Sequence, residues 1–458
     1  MSEPETPVIP HRTLITICLM IATLMQALDS TIANVALPYM QGSLSASYDE
    51  ITWVLTSYVV MAAIMTAPVG WLAARFGRKN LFITCLIGFT VTSMLCGIAA
   101  TLPQMVLYRL LQGAFGAALV PLSQSTMLDI YPPAQRGQAM SIWGMGVMVG
   151  PILGPTLGGY LTDDFNWRFV FFVNLPFGII AVLGLLFLMP KVKPAPRTVF
   201  DWVGFGVLSL ALGALQIALD RGEELDWLSS TTIVTCFVLA VLGFYLFVVH
   251  MMLGRNLFIP RAIFKDRNFV AALITMTSVG MVLLASSALL SPFLENLGNY
   301  PVAAAGLVMA PRGAGTMVAM LIAGRLTNRI DPRLLMLLGY VLLGVSLFMQ
   351  EGWTPAETAN YMMLTIIIQG AGLGFVFIPL QVVAFFTLPG ELRTQGTSLL
   401  SLVRNVGSAI GISLTSALLA RQTQYVHANL AALITPFTRS LQVGGTVSHF
   451  LNPSSPAG

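Results

Sequence analysis

Long apolar runs separated by short polar loops fill most of the chain. Each run is close to the ~20 residues that cross the hydrocarbon core of a bilayer as an α-helix. The runs are too long and too continuous for the strands of a membrane barrel, and helices satisfy their own backbone hydrogen bonds in lipid. We therefore predict about thirteen spanning helices, α1–α13. Their predicted extents are 14–38, 51–73, 80–101, 104–127, 138–161, 168–189, 202–219, 230–250, 269–293, 303–324, 334–350, 360–385 and 397–419.

The basic residues are divided unevenly between the predicted loops. One side of the membrane receives sixteen of the 23 Lys and Arg residues, with clusters at Arg75–Lys79, Lys191–Arg197 and Arg325–Arg333, and the other side receives four. Loops rich in Lys and Arg remain in the cytoplasm. We therefore predict that these clusters and the N-terminus are cytoplasmic.

The sequence also repeats itself at a nearly constant offset. The matching pairs are Gly70–Arg75 with Gly324–Arg329, Gln112–Gly116 with Gln369–Gly374, Arg136–Gln138 with Arg393–Gln395, and Pro38 with Pro292, at offsets of 254, 257, 257 and 254. The two prolines are the predicted ends of α1 and α9. The matches pair α1 with α9, α2 with α10, α4 with α12 and α5 with α13. They predict two parallel six-helix units with α7 and α8 inserted between them, which is a transporter architecture.

This repeat divides the chain into four parts. They are a first bundle at 1–190, the inserted helices with their cytoplasmic linkers at 191–267, a second bundle at 268–420, and a periplasmic tail at 421–458. The repeat requires a fourteenth helix as the partner of α6, but no run after Leu419 is long and apolar enough to span. We therefore expect an all-α polytopic membrane protein that lacks the last helix, as a truncated chain would.

Composition excludes most other classes of protein. Hydrophobic residues make up 56% of the chain, charged residues 9%, and the mean hydropathy is +0.81, whereas soluble domains carry about 25% charged residues. The four cysteines lie in apolar runs without a CxxC pair, and the four histidines lack metal-ligand spacing. There is no phosphate-binding loop. We expect no enzyme activity, metal site, cofactor or nucleic-acid partner.

Asp29 in α1 is the one carboxylate that we place deep inside a predicted span. A charge there costs about 3 kcal/mol, so the side chain should face protein or water. Gln26 lies one turn away on the same face, and the repeat places Leu283 at the corresponding position of α9. One interpretation is a group that exchanges a proton for a cationic substrate. The alternative is a carboxylate held by a structural partner such as Arg109.

Arg109 lies in α4 on a stripe with Gln112, Gly113 and Gly116, which should face the bundle. A buried Arg stays charged and needs acceptors. Arg109 therefore either controls the protonation of Asp29 or ties helices together, and the sequence leaves both interpretations open.

Two further arginines, Arg312 and Arg404, fall inside predicted spans of the second half. We interpret them as structural residues. The alternative is that they favour anionic groups in a transport cavity.

One face of α5 lacks side chains. Glycines recur there every four residues, and two prolines should bend the helix. A generic packing motif needs one or two of these glycines, so we interpret the run as a specialised pivot. The residues are Gly146, Gly150, Pro151, Gly154, Pro155, Gly158 and Gly159.

Together these motifs resemble the major facilitator superfamily, and within it the fourteen-helix drug:proton antiporters, which carry two inserted helices. The run in α5 resembles their antiporter motif. Further resemblances to this family and to its EmrB-like subfamily are Leu28–Pro38, Trp167–Arg168, Asn174–Pro176, Pro121–Ser125, Tyr131–Pro133 and Ile142–Met145. The resemblance implies a major facilitator fold and export of small hydrophobic or cationic compounds by proton antiport. It also implies a bacterial inner membrane, a periplasmic adaptor and an outer-membrane channel.

The cytoplasmic loop after α2 departs from the pattern of this family. Its matching residues are Gly70, Arg75, Gly77, Arg78 and Lys79. Ala74, however, replaces the usual Asp, and the second copy has Asn328 at that place. The carboxylate normally takes part in charge contacts that hold one conformation closed, so we do not expect this latch in its usual form.

Other functions stay open at this point. The chain could export one metabolite or siderophore, or import a solute, although the glycine-proline run favours antiport. A membrane sensor or scaffold is a more distant alternative, because a sensor should carry a soluble output domain and no segment is long enough for one.

Overall fold

A computed structural model of the chain describes residues 11–190, 199–254, 257–327, 329–354 and 357–433. Every regular element in these residues is a helix. Eleven helices are long and apolar enough to cross a membrane, and two bent pairs bring the number to thirteen. The prediction of about thirteen spans is confirmed. They are α1 Arg12–Ser43, α2 Asp49–Thr66 with Val69–Phe76, α3 Arg78–Ile98, α4 Leu102–Ile130, α5 Pro133–Gly154 with Thr156–Asp164, α6 Phe169–Leu188, α7 Trp202–Arg221, α8 Thr231–Leu253, α9 Arg267–Leu297, α10 Ala304–Leu326, α11 Pro332–Glu351, α12 Ala359–Phe386 and α13 Gly390–Asn429.

The ends of three spans differ from the prediction. Pro38 lies inside α1, which continues to Ser43, because a proline removes one backbone hydrogen bond without ending the remaining ladder. In α9 the α-helix ends at Pro292 as predicted, but the span continues through the π-helical turn Phe293–Leu297. The α-helix of α13 extends to Leu433, beyond the predicted end at residue 419. Residues 434–458, the rest of the predicted tail, lie outside the described part.

The packing within each half repeats like the sequence. In the first half α1 packs on α5, α2 on α4, and α3 on α4. In the second half α9 packs on α13, α10 on α12, and α11 on α12, which are the same three pairings. The halves meet chiefly along α5 and α10. The fold is therefore two similar bundles, which also meet along α13 and α2, the repeat counterparts of α5 and α10.

The inserted helices lie outside this repeat. α7 and α8 pack closely, with a Cβ on Gly243 falling 2.9 Å from the Ala211 Cβ. α7 also contacts α2, where Thr56 Oγ1 donates to the Asp220 carboxylate. The pair thus lies beside α2 of the first half, and α7 also contacts α13 of the second half. The exact domain boundaries remain a prediction.

Contacts between the halves gather at the end of the bundle that carries Arg75–Lys79. We call it the cytoplasmic end, following the predicted orientation. Two equivalent glycines pack there without room for a side chain: Gly70 of α2 against Gln395 of α13, and Gly324 of α10 against Ser141 of α5. Ser141 Oγ also donates to the Met320 carbonyl oxygen at 2.7 Å. The cytoplasmic end is therefore closed in this structure.

Candidate proton site and transport pathway

Asp29 lies at the junction of three helices of the first half. Its side chain is 0% exposed. Arg109 Nη1 of α4 donates to Asp29 Oδ2 at 2.8 Å, while Gln112 Nε2 of α4 and Asn174 Nδ2 of α6 donate to Oδ1 at 2.8 and 3.0 Å. One carboxylate therefore accepts three hydrogen bonds and joins α1 to α4 and α6.

Arg109 connects this carboxylate to α2. Its Nε donates to the Val54 carbonyl oxygen at 3.1 Å, and its Nη1 also donates to Gln112 Oε1 at 2.8 Å. The guanidinium carbon lies 4.5 Å from the ring centroid of Tyr58 and 5.6 Å from that of Phe171, within the range of cation–π attraction. Breaking a buried pair by removing one partner costs about 3–5 kcal/mol, so Asp29 and Arg109 depend on each other.

The sequence named some members of this cluster and missed others. Gln26 joins it through Tyr58, because its Nε2 donates to the Tyr58 hydroxyl at 3.1 Å. Asn174 also donates to Ser93 Oγ of α3 at 2.9 Å. Tyr58 and Ser93 were not predicted, and Asn174 appeared only in a family signature. Polar side chains inside apolar runs are the signal that could have found them.

This geometry relates the two interpretations of Asp29 to each other. Arg109 is the structural partner that the second interpretation requires. It also provides the chemistry that the first one requires, because protonating Asp29 would remove the negative charge that balances the guanidinium. Asn174 Oδ1 is buried without a hydrogen-bond partner among the described residues, so the cluster also contains one unused acceptor.

The glycine face of α5 packs against α1, the helix that carries Asp29. A Cβ on Gly150 would lie 2.6 Å from the Ala27 Cβ, and Gly154 packs against Thr31. Thr31 Oγ1 is 3.4 Å from the Gly150 carbonyl oxygen, which accepts its hydrogen bond. Gly159, by contrast, has no atom of another helix within 4 Å of its Cβ position. The glycines therefore let α1 and α5 approach to backbone contact beside Asp29.

α5 is bent where these contacts occur. Its two segments meet at 40° between Gly154 and Thr156. The side chains of Pro151 and Pro155 lie outside the described part of the structure. The bend lies in the segment for which the two prolines predicted it, and the role of this segment as a pivot remains a proposal.

The cytoplasmic loop motif has a charge contact that the sequence did not predict. Arg78 Nη1 donates to one carboxylate oxygen of Asp129, at the end of α4, and Arg393 Nη1 of the second half donates to the other at 2.8 Å. Asp129 thus joins the two halves although Ala74 offers no carboxylate. Asn328 lies outside the described residues.

Other residues of the motif shape the turn between α2 and α3. Gly77 has φ 84°, a conformation that glycine adopts without steric cost. Lys79 Nζ donates to the Leu186 carbonyl oxygen of α6 at 2.7 Å. Arg75 is half-buried at the same end. Lys79 thus holds the loop against α6 of the first half.

The two arginines of the second half lie in different surroundings. Arg312 is buried and donates to Ser287 Oγ, the Leu283 carbonyl oxygen and Ser286 Oγ at 2.6, 2.8 and 3.0 Å. Arg404 is half-buried and has no ion pair or side-chain hydrogen bond within the described ranges. Neither arginine has a carboxylate partner there, in contrast to Arg109.

No group of three or more His, Cys, Asp or Glu side chains that could hold a metal ion occurs in the part of the chain that was described. Among the described residues, the ion pair buried on both sides is Asp29–Arg109.

Comparison with known proteins identifies the family of this arrangement. Residues 19–412 match the family model described as Major Facilitator Superfamily. The chain belongs to the major facilitator superfamily. The predicted family and the all-helical transporter fold are therefore confirmed, and the chain is a multi-pass membrane protein.

Relatives in the superfamily cover most of the chain. It is 35% identical over 431 residues to the multidrug export protein EmrB of Escherichia coli (strain K12), covering 94% of this chain and 84% of that protein. It is 35% identical over 429 residues to the fatty acid resistance protein FarB of Neisseria gonorrhoeae, covering 93% and 84%.

Solved structures agree on the fold. The proton:xylose symporter XylE aligns with a TM-score of 0.63 at 14% identity, covering 90% of each chain. The human organic anion transporter MFSD10 aligns with a TM-score of 0.60 at 16% identity, covering 88% of this chain and 93% of that one. At these identities the likeness supports the superfamily fold alone.

Proposed function

We propose that this protein exports small amphipathic compounds in exchange for protons. The observation that carries the proposal is the Asp29 cluster. A fully buried carboxylate joins α1 to α4 and α6, and the helix that bears it packs by backbone contact on α5, which reaches the other half. A change in the charge of Asp29 would thus act on α1, and through it on α5, the helix that contacts the second half.

The coupling we propose begins with proton uptake by Asp29. Neutral Asp29 attracts Arg109 less strongly, while Val54, Gln112 and the Tyr58 ring continue to hold the guanidinium on α2 and α4. The contact between α1 and α4 then weakens relative to the contact between α1 and α5. A helix pair that packs through glycine can shift as a unit, so α1 and α5 would move together against α10.

The closed cytoplasmic end indicates which state of an alternating-access cycle the structure represents. The structure is closed at the cytoplasmic end, so in the proposed cycle it represents the state that releases substrate to the periplasm and receives protons there. Opening the cytoplasmic end would separate α5 from α10 and α2 from α13. Protons return to the cytoplasm down their gradient as substrate leaves.

The names of the relatives support an export function of this kind. They include a multidrug export protein and a fatty acid resistance protein, and amphipathic molecules are the common chemistry. We propose the inner membrane of a bacterium as the location, and a periplasmic adaptor with an outer-membrane channel as partners. A dedicated metabolite or siderophore exporter remains the second candidate.

Everted membrane vesicles from a pump-deficient bacterium test the proposal. Respiration acidifies their lumen, and an added substrate of a proton-coupled exporter should discharge the pH gradient reported by a quenched acridine dye. We expect this response from the wild type and from Asp164→Asn, a control at an exposed position. We expect its loss in Asp29→Asn at equal protein level.

The same assay separates the alternatives. Equal gradient discharge by Asp29→Asn and wild type would reject the proton role of Asp29. A response to one compound among many would favour a dedicated exporter. No response to any amphipathic compound, with no drug resistance in cells, would reject export.

A further inference from the structure

Arg312 of the second half is a buried positive charge. Among the described residues, no carboxylate is paired with it. Arg312 is 9% exposed, and its recorded acceptors are two serine hydroxyls and one backbone carbonyl. The acidic residues between 268 and 420 lie in loops or near helix ends; they are Glu295, Asp331, Glu351, Glu357 and Glu391. A buried arginine gains strongly from an anionic acceptor, and here that acceptor is missing.

The repeat identifies what the second half lacks. Arg312 donates to the carbonyl oxygen of Leu283, and Leu283 occupies in α9 the position that Asp29 occupies in α1. The first half therefore places a guanidinium against an internal carboxylate. The second half places the guanidinium of Arg312 at the equivalent position of α9, and the residue at that position is Leu283.

A second buried polar residue of this half, Gln369, lacks hydrogen-bond partners in the described part of the chain. Gln369 in α12 is the repeat counterpart of Gln112, whose amide bonds both Asp29 and Arg109. Gln369 is 0% exposed, yet neither its amide nitrogen nor its amide oxygen has a hydrogen-bond partner among the described residues. α12 packs on α10 at this level, because Gly370 lies against the backbone oxygen of Arg312. Buried polar atoms without partners point to a missing ligand or water.

This region lies where the two halves meet. Gly313, the neighbour of Arg312, packs against Ile152 of α5, which lies within the glycine-proline run. The Arg312 side chain itself points to α9, where its three acceptors lie, so a ligand held there would lie between α9 and α10, next to the contact of α10 with α5.

We propose that Arg312, with Ser286, Ser287 and Gln369, binds the carboxylate of an amphipathic anion, and that such anions are export substrates. This inference rests on the proposed function and names a substrate class for it. The planar guanidinium suits a carboxylate, and the apolar cluster formed by α9, α10 and α12, which includes Leu290, Val308 and Ile366, suits the tail. A membrane potential that is negative inside favours both the exit of an anion and the entry of a proton.

The test compares a carboxylate with a cation in the full-length protein. Decanoate and ethidium are the two probes, and their efflux is measured in a pump-deficient strain. We expect the wild type to export decanoate, and Arg312→Gln to lose about tenfold or more of that efflux while keeping any ethidium efflux. Gln369→Leu should lower decanoate efflux in the same selective way. Arg329→Gln, which removes a charge from an exposed loop, should change neither.

The effect of the membrane potential tests whether decanoate leaves as an anion, and the comparison with ethidium distinguishes recognition from folding. Collapsing the potential with valinomycin and potassium should slow decanoate efflux by the wild type. Equal losses of decanoate and ethidium efflux in both variants would assign Arg312 and Gln369 a structural role and overturn the proposal. Wild-type export of ethidium without decanoate would overturn the anion proposal and leave the proposed function standing. Export of no amphipathic compound would overturn both.

Discussion

Gln124 Nε2 donates a hydrogen bond to Gln381 Oε1 across the boundary between the halves, and the two residues are 257 positions apart. The same offset relates α4 to α12, so these glutamines are repeat counterparts that bind each other. The pseudo-twofold axis of the fold therefore passes between them. Both are 1% exposed, and Trp143 stacks on Phe377 nearby at 6.3 Å. This contact closes the cytoplasmic end on the axis itself.

A cross-link at this pair should stop transport. The cytoplasmic end cannot open while α4 and α12 are tied together. In a variant without the four native cysteines, Gln124→Cys with Gln381→Cys should form a disulfide on oxidation. Substrate efflux should fall to background and recover after reduction. Each single cysteine variant is the control, and undiminished efflux by the oxidised double variant would mean that this contact persists throughout the cycle.

Asp129 should act as the latch between the halves in place of a carboxylate at residue 74. It binds Arg78 of its own half and Arg393 of the other. Partly exposed ion pairs contribute up to about 1 kcal/mol each, so Asp129→Asn should shift the conformational balance several-fold towards the cytoplasm-open state. Cysteine accessibility from the cytoplasmic side, with Gln395→Cys as reporter, measures this shift.

The substitution Ala74→Asp tests whether position matters for this latch. It restores the family pattern, so adding it to the Asp129→Asn variant should restore part of the population whose cytoplasmic end is closed. No change of accessibility in Asp129→Asn would assign the closed state to packing and to the glutamine pair alone.

The sequence predicted the spans and the repeat because these depend on local hydrophobicity and on internal comparison. It also named Asp29 and Arg109 as a candidate pair, since they are the opposite charges inside the first half. The end of α1 was predicted wrongly because proline was taken as a stop. Inside a long helix it interrupts one hydrogen bond, and α1 continues to Ser43.

Other site residues could not be ranked from the sequence. Asn174, Tyr58 and Ser93 are neutral, and many neutral polar residues occur in apolar runs. Which of them meets Asp29 depends on how α2, α3 and α6 are packed. Asp129 lies near a helix end, where a carboxylate is ordinary. Its contact with Arg393 spans 264 positions and exists only once the halves meet.

The orientation of the protein predicts the labelling of two loops. Glu223→Cys, between α7 and α8, should react with a membrane-impermeant maleimide added to intact cells from the periplasmic side. Arg329→Cys, between α10 and α11, should react only after the inner membrane is permeabilised. Both residues are exposed, so burial does not limit either reaction. The reverse pattern would invert the membrane orientation and make the closed end periplasmic.

The glycine face of α5 predicts position-specific effects of a single methyl group. A Cβ on Gly150 would lie 2.6 Å from the Ala27 Cβ and 2.7 Å from the Leu28 backbone nitrogen, so α1 and α5 must separate to accept it. Overpacking of this kind costs about 1–3 kcal/mol. Gly150→Ala should therefore reduce transport strongly at normal expression, and Gly150→Leu should abolish it.

Gly159 provides the matched control on the same helix. No atom of another helix lies within 4 Å of its Cβ position, so Gly159→Ala changes helix propensity in the same way without touching α1. We expect Gly159→Ala to transport like the wild type, measured as efflux per amount of protein in the membrane. Equal transport by Gly150→Ala and Gly159→Ala would show that the distance between α1 and α5 does not limit the cycle. Equal losses in both would trace the effect to flexibility of α5 itself, because only one of the two methyl groups meets a neighbouring helix.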